Sequence, residues 1–364
     1  MAEEPPSTQA SSRYSENPFN LLPRELVSKV FFEVARGSRV PMERYRLPGR
    51  LAPTCRRFRD IVYDSPELWT TLVIRYGVNA RHLPGYLARS CGQPLHIDLH
   101  VLQAPGHDLS ELAAPVLAQS HRWESLSART FAPLVKYSLL GTVLPNLTLP
   151  QLSRLSLSYS PPQGRRWVDG IIPQYSNLRV LEISDFYLGP QDIPYTTLQE
   201  LDLRTMDWDR RKWKRLLLFL NSNRALQRLR LVITVPYGYS NLTGTQIELP
   251  SLTSLTLEYS HNFPITQLLD NIQAPHLAEI CLRPEAPILA RRKWITMDKL
   301  LDTCLDRFGA LNQIVLSGLP LGPTNAVRQD CRRRRMKLSE TGSSGVDVTV
   351  RIDHEEWKLK DRRS

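Results

Sequence analysis

The side chains with the greatest chemical reactivity are few and widely spaced in this sequence. The five cysteines stand at positions 55, 91, 281, 304 and 331, so no C-x-x-C pair is present to bind a metal, and an odd number argues against a disulfide framework. The segment His354-Glu355-Glu356 comes nearest to a metal-binding pattern, but it lacks the second histidine of H-E-x-x-H. We therefore predict no metal site and no cofactor.

The chain also lacks the short motifs that mark nucleotide-binding and hydrolytic sites, including G-x-x-x-x-G-K-[ST], G-x-G-x-x-G and G-x-S-x-G. The segment Gly342-Ser-Ser-Gly345 has the wrong spacing for the strained turn that exposes a nucleophilic serine. Active sites also assemble from residues far apart in sequence, so this absence alone leaves an enzyme open. We predict a protein that is not an enzyme.

Charge is spread unevenly along the 364 residues, whose net formal charge is +11. Residues 204–230 hold nine basic and two acidic residues, whereas residues 231–290 hold one basic and five acidic ones. A nucleic-acid-binding protein usually concentrates its basic residues on one stripe, interleaved with stacking aromatics, so this pattern argues against a nucleic-acid partner. No apolar run approaches the ~20 residues of a membrane span. We expect an intracellular protein, cytoplasmic or nuclear or both, without a membrane partner.

An internal repeat sets the elements that must position any functional residue. The pattern L-x-x-L-x-L returns seven times, at intervals of 20 to 34 residues, near or just beyond the spacing of leucine-rich repeats. The copies begin at Leu152, Leu178, Leu198, Leu226, Leu252, Leu277 and Leu311. Each L-x-L segment is expected to form one strand of a parallel sheet, and neighbouring repeats must stack to bury their apolar faces.

Further strands are expected outside the seven copies. Leu95, Ile97 and Leu99 alternate with polar residues, a weaker copy lies near Trp123 and Leu126, and residues 346–352 alternate in the same way. Between the strands, 207–223 carries an apolar helical stripe. The fold class predicted for residues 70–353 is therefore α/β, an irregular leucine-rich-repeat solenoid with a concave parallel sheet and convex helices, followed by a charged tail over 354–364.

Residues 17–69 show a helical pattern instead. After Pro23, the apolar residues Leu26, Val27, Val30, Phe31 and Val34 fall on one helical stripe. A second stripe runs from position 51 to 62, after a basic connector at 35–50, and Ser65-Pro66-Glu67 begins a short third helix. We predict a three-helix domain over 17–69, preceded by a disordered tail over the polar residues 1–16.

The sequence of this domain carries a family resemblance. The segments N-P-F-N-L-L-P-R-E-L-V-S-K-V-F-F-E-V and L-A-P-T-C-R-R-F-R-D-I-V-Y-D-S-P-E-L-W together resemble the F-box of fungal F-box proteins with C-terminal leucine-rich repeats. The resemblance implies a three-helix F-box that docks on the adaptor Skp1 and, through it, on a cullin-RING ligase. It implies that the chain is the substrate receptor of an SCF-type ubiquitin ligase whose chemistry belongs to other subunits.

The resemblance assigns a docking role to the apolar residues of the motif. The residues it places in Skp1 binding are Leu21, Leu22, Pro23, Leu26, Val30, Phe31, Leu51, Cys55, Phe58, Leu68 and Trp69. A short helical module with an apolar surface is also what a partner groove requires. The alternative for any one of these residues is packing against the chain's own first repeat.

The outward side chains of the repeat strands are the candidate binding site for an unknown protein substrate. The residue between the two inward positions of successive repeats is Ser156, Glu182, Asp202, Arg230, Thr256 and Cys281. The candidate substrate-binding residues are Glu182, Asp185, Glu200, Asp202, Arg204, Arg228, Arg230, Glu258 and Tyr259. Their acids either pair with the arginines across strands or select a partner of complementary charge.

Two other functions compete with the substrate receptor. The chain could be a leucine-rich-repeat scaffold in a Skp1 complex that contains no cullin. It could also bind nucleic acid through the basic stretch at 204–230, which the charge distribution disfavours.

Overall fold

A computed structural model describes residues 18–38, 40–75, 80–101, 110–130, 147–159, 169–170, 175–184, 187–188, 197–205, 210–233, 246–259, 265–284, 297–316, 347–352 and 355–360. The chain divides into two compact units. The first comprises Met1–Leu72 and Pro84–Gln93, and the second comprises Val73–Leu83 and Pro94–Ser364. The predicted tail at 1–16 lies outside the described residues.

The first unit is helical, and residues 18–69 contain two helices, at 18–21 and 41–51, beyond the three predicted. Its helices are α1 (Pro18–Leu21), α2 (Arg24–Gly37), α3 (Pro41–Leu51) and α4 (Arg56–Tyr63), followed by a 3₁₀ turn at Pro66–Trp69 and by α5 (Leu83–Arg89). Most of the basic connector at 35–50 is helix α3, because Pro41 at its first turn suits a helix start. Pro48 inside α3 is buried, so its pyrrolidine ring is part of the packing there.

A small core closes this unit. It consists of Val27, Phe31, Ala52, Ile61, Val62, Leu68 and Trp69. The Trp69 indole N–H donates to the Val62 carbonyl at 2.8 Å, which satisfies its polar atom inside the core. Arg89 lies over the rings of Tyr63 and Trp69, 4.8 Å from each centroid, and thereby ties the segment 84–93 to the helices.

The second unit is built on one long sheet. Among the described residues, twelve strands form this sheet in the order in which they occur along the chain. They are β1 (Thr71–Arg75), β2 (Leu95–Val101), β3 (Trp123–Thr130), β4 (Arg154–Tyr159), β6 (Val180–Ser184), β8 (Glu200–Thr205), β9 (Arg228–Ile233), β11 (Ser254–Tyr259), β13 (Glu279–Pro284), β14 (Gln313–Leu316), β15 (Asp347–Ile352) and β16 (Glu355–Lys360). From β2 to β15 every pair of neighbouring strands in this sheet is parallel.

The seven repeat copies form adjacent strands in a common register. The second leucine of each motif lies opposite its counterpart, from Leu155 through Leu181 and onward to Ile314. Side chains at this position are at most 2% exposed. The alternation of buried and partly exposed residues in β6, β9, β11 and β14 shows that one face of the sheet is the core and the other faces outward.

Helices and short strands lie between the repeat strands of this unit. The helices are α6 (Ser110–Leu117), α7 (Arg210–Ser222), α8 (Ile265–Asn271) and α9 (Met297–Arg307). Two pairs of two-residue strands form small separate sheets: β5 (Asp169–Gly170) pairs with β7 (Tyr187–Leu188), and β10 (Ile247–Glu248) pairs with β12 (Ile272–Gln273). Helix α7 buries Leu216, Leu217 and Leu220 of the predicted stripe, which also included the partly buried Trp213, and it buries Phe219 in addition. The observed fold is thus mixed α/β with a long parallel sheet and helices, as predicted for the repeat region.

The end of the sheet differs from the sequence prediction. Most of the segment assigned to a charged tail forms β16, which pairs antiparallel with β15, Val350 opposite Trp357. Residues 356–360 alternate between charged and apolar types, and this period-two pattern suits an edge strand. Within the described part of the chain, no helix is both long enough and apolar enough to cross a membrane.

Candidate interaction surfaces

Helix α2 of the first unit is apolar on two faces. Val27 and Phe31 are 0% and 4% exposed and belong to the core of the unit. Leu26, Val30 and Val34 are 48%, 41% and 56% exposed. Because these residues are four apart, they form one row along the helix. We call this row, together with the exposed Leu21, the α2 apolar surface; Leu21 is 71% exposed.

The structure separates the predicted docking residues into two groups. Leu21, Pro23, Leu26, Val30 and Cys55 are exposed, whereas Phe31, Leu68 and Trp69 are buried in the core. Leu22, Leu51 and Phe58 are partly buried and pack against that core. The buried residues can therefore support the shape of the surface, but they cannot contact a partner directly.

The outward face of the sheet in the second unit carries three rows of side chains. The middle outward row runs, in register, through Ser156, Glu182, Asp202, Arg230, Thr256 and Cys281, as the sequence predicts. Glu200 and Arg228 lie two residues before this row, whereas Arg204 and Glu258 lie two residues after it. Seven of the nine candidate substrate-binding residues thus share one face.

A chain of ion pairs crosses four strands of this face. Asp202 accepts from Arg204 at 2.7 Å and lies 3.5 Å from Arg230. Glu258 lies 2.6 Å from Arg230 and 3.0 Å from Arg283. Each carboxylate therefore bridges two guanidinium groups. The hydrogen bonds that Arg204 donates to Asp202 are the main cause that raises the pKa of Arg204 above its usual value.

A separate pair joins Arg228 and Glu200 at 2.7 Å. Glu182, in contrast, has no ion pair or hydrogen bond among the described residues, although it lies directly opposite Asp202 in register. Two like charges on adjacent strands are unfavourable unless another charge compensates them. Arg204 and Arg230 compensate Asp202, whereas Glu182 forms no hydrogen bond among the described residues and keeps unused acceptor capacity.

Tyr259 does not belong to this face, which corrects its assignment as a substrate-binding residue. It is 9% exposed and lies opposite Ile233 at the inward end of β11. The strand alternates with period two, so residue 259 takes the inward direction of Leu255 and Leu257. Burial raises the pKa of Tyr259 to about 12. Asp185 lies outside the described residues.

Sequence reasoning missed outward residues beyond the motif itself. Arg283 extends the ion-pair chain onto β13. On β2, His96, Asp98 and His100 occupy the same three outward rows, and the Asp98 carboxylate contacts His100 at 2.8 Å. Extending the period-two alternation one position past each L-x-L segment, and to the weaker strand at 95–101, identifies all four residues.

Comparison with known proteins gives no further identification. No protein-family model matches this chain, and the search of curated proteins finds no significant match. The assignment of a function therefore depends on the motif residues and on the two surfaces described above.

Proposed function

We propose that this protein is the non-catalytic substrate receptor of an SCF-type ubiquitin ligase. Residues 17–69 dock on Skp1 and, through it, on a cullin-RING ligase, and the outward face of the sheet binds a protein substrate. The proposal rests on the resemblance of the N-terminal motif to an F-box together with the surfaces that the two units present.

The α2 apolar surface is the observation that carries the proposal. A helix that only packs on its own domain needs one apolar stripe, with polar residues opposite. Helix α2 keeps Leu26 and Val30 in water in addition to its buried stripe. Burying one such side chain against a partner is worth about 1.5–3 kcal/mol, so a row of them provides a docking site for a partner with an apolar groove.

The outward face of the sheet supports the receptor half of the proposal. Its strands hold their backbones in a regular ladder, so the side chains between inward leucines are free to specify a partner. Most of its charges are already paired within the sheet. Such a charge pattern gives specificity mainly because a partner with like charges at the same places is repelled. Glu182 remains available for a basic group of the substrate.

The docking half is tested by removing apolar area without disturbing the core. The double variant Leu26→Gln/Val30→Gln should lose at least about tenfold in affinity for purified Skp1, because two exposed anchors are made polar. The thermal stability of the free protein should change little. Lys29→Gln, at an exposed residue of the same helix, is the matched control and should bind like wild type. Wild-type affinity in the double variant would refute the docking assignment.

A second measurement separates the receptor from the cullin-free scaffold. Wild-type protein bound to Skp1 is mixed with a cullin-RING pair, and ternary complex formation is followed by size-exclusion chromatography. A receptor forms the larger complex. A stable Skp1 complex that excludes the cullin would favour the scaffold instead.

A further inference from the structure

The chain turn between α1 and α2 leaves two backbone carbonyls without the partners that a continuing helix would supply. In an α-helix the N–H of residue 23 would donate to the carbonyl of Phe19, but Pro23 has no N–H. The Leu26 N–H would serve the carbonyl of Leu22, yet it donates to Pro23 at 3.1 Å. Neither carbonyl therefore takes the N–H donor that a continuing helix would bring to it.

Arg57, in the first turn of α4, supplies both donors. Its Nη1 donates to the Phe19 carbonyl at 2.8 Å, and its Nη2 donates to the Leu22 carbonyl. A guanidinium group presents its N–H donors in a rigid planar fork, so one side chain can hold two carbonyls at a fixed separation. Leu21 lies between these two fixed points and is 71% exposed.

The neighbours of Arg57 in the C-R-R-F segment hold it in place. The Cys55 sulfur accepts the Phe58 N–H at 3.4 Å and so caps the start of α4. The Phe58 ring contacts Phe31 in the core at a centroid distance of 4.9 Å and Phe19 of α1 at 5.8 Å. The first turn of α4 is thus anchored in the core and holds α1 through one aromatic and two polar contacts.

We infer that Arg57 is a positioning residue that fixes the Phe19–Leu22 turn and presents Leu21 to the docking partner. The inference rests on the proposed function, because it assigns Leu21 to the Skp1 contact. It gives Cys55, Arg57 and Phe58 roles in building the surface and not in touching the partner. Arg56 provides the contrast, since it is exposed and makes no hydrogen bond or ion pair within the described parts of the chain.

Two measurements on the full chain test the inference, with Arg57→Met as the variant and Arg56→Met as its matched control. Methionine keeps an unbranched apolar side chain but has no side-chain N–H group to donate a hydrogen bond. Chymotryptic cleavage after Phe19 or Leu21, followed by mass spectrometry, reports how often the turn opens. Loss of the charged hydrogen bonds should speed this cleavage about tenfold in Arg57→Met and leave it unchanged in Arg56→Met. Arg57→Lys, with donors on one atom, should lie between wild type and Arg57→Met.

The second measurement is a double-mutant cycle on Skp1 affinity, which a merely stabilising residue would not affect in the same way. Leu21→Ala should weaken binding about tenfold in the wild-type background and less than about twofold in Arg57→Met, because the leucine is no longer presented there. The melting temperature should be nearly equal in all variants. Additive losses in the cycle would overturn the inference, and so would unchanged cleavage in Arg57→Met. If wild-type protein did not bind Skp1, the proposed function would fail, and the cleavage rates would still decide the role of Arg57.

Discussion

At the scale of single residues, two adjacent acids on the outward face of the sheet are expected to have different roles, one in stability and the other in recognition. Asp202 is bridged by two arginines and its side chain is only 17% exposed. Glu182, its neighbour in register, has no such pair among the described residues. The two acids are adjacent and of the same charge, yet we expect them to differ in role, because removing a carboxylate that bridges two guanidinium groups leaves those charges uncompensated, whereas removing an unbridged one does not.

We predict that Asp202→Asn lowers the free energy of unfolding by about 1 kcal/mol, because Arg204 and Arg230 then face each other without the carboxylate. Glu182→Gln should change it by less than ~0.5 kcal/mol. Urea denaturation at low and high salt measures both. The Asp202→Asn effect should shrink at high salt, where charges are screened. Equal effects of the two variants would contradict the distinction.

Tyr86 predicts a dependence of stability on alkaline pH. Burial, with a smaller contribution from Tyr45, raises the pKa of Tyr86 from 10.0 to about 12, and Arg89 opposes this shift. Between these values the unfolded state loses the phenolic proton while the folded state keeps it, so the stability contributed by Tyr86 is present below pH 10 and is lost as pH rises toward 12. The difference in unfolding free energy between wild type and Tyr86→Phe should stay constant up to pH 10 and shrink above it.

At the scale of elements, each repeat strand depends on its inward leucines. Leu255 is 0% exposed and lies between Leu229 and Ile280 on the adjacent strands, so its loss leaves a cavity shared by three repeats. Thr256 is the next residue, but it points outward. The strand is therefore specified by its alternation of inward and outward residues, and an outward side chain can change without loss of the strand.

We predict that Leu255→Ala lowers the free energy of unfolding by about 2–5 kcal/mol, through lost transfer free energy and the cavity left behind. Thr256→Ala, the matched control in the same strand, should lower it by less than ~0.5 kcal/mol. Chemical denaturation followed by circular dichroism measures both values. A large effect at position 256 and a small one at 255 would mean that the sheet faces the other way.

At the scale of the whole molecule, the two compact units give the proposed function two separable surfaces. Leu26→Gln/Val30→Gln should reduce capture of Skp1 and of the cullin and RING subunits bound through it, and leave capture of the substrate unchanged. Glu182→Lys should keep Skp1 capture and change the captured substrate, because it reverses a charge that forms no ion pair or hydrogen bond among the described residues and so disturbs recognition more than folding. Affinity capture from cells with the proteasome blocked, followed by mass spectrometry, compares both with wild type. If Glu182→Lys left the partner set unchanged, Glu182 would be removed from the substrate site.

Local patterns in the sequence determined the repeat region and its register. The spacing of Leu155, Leu181 and the later copies identifies adjacent strands, because a period-two strand with a recurrent apolar pair can bury only one face. The same rule places Glu182 and Asp202 side by side, and the structure confirms this. The final strand β16 was not predicted, because only two apolar residues alternate with its many charged ones and because the strand forms by pairing with β15.

Tertiary structure alone decided which motif residues of the first unit face solvent. Leu26 and Phe31 are both apolar residues of one helical stripe in the sequence, but the core accepts Phe31 and leaves Leu26 at 48% exposure. Helical periodicity gives the direction of a side chain on its own helix, and only the packing of α3, α4 and the 3₁₀ turn determines which direction is covered. The hydrogen bonds from Arg57 to Phe19 and Leu22 span 38 and 35 residues, so no local pattern could reveal them.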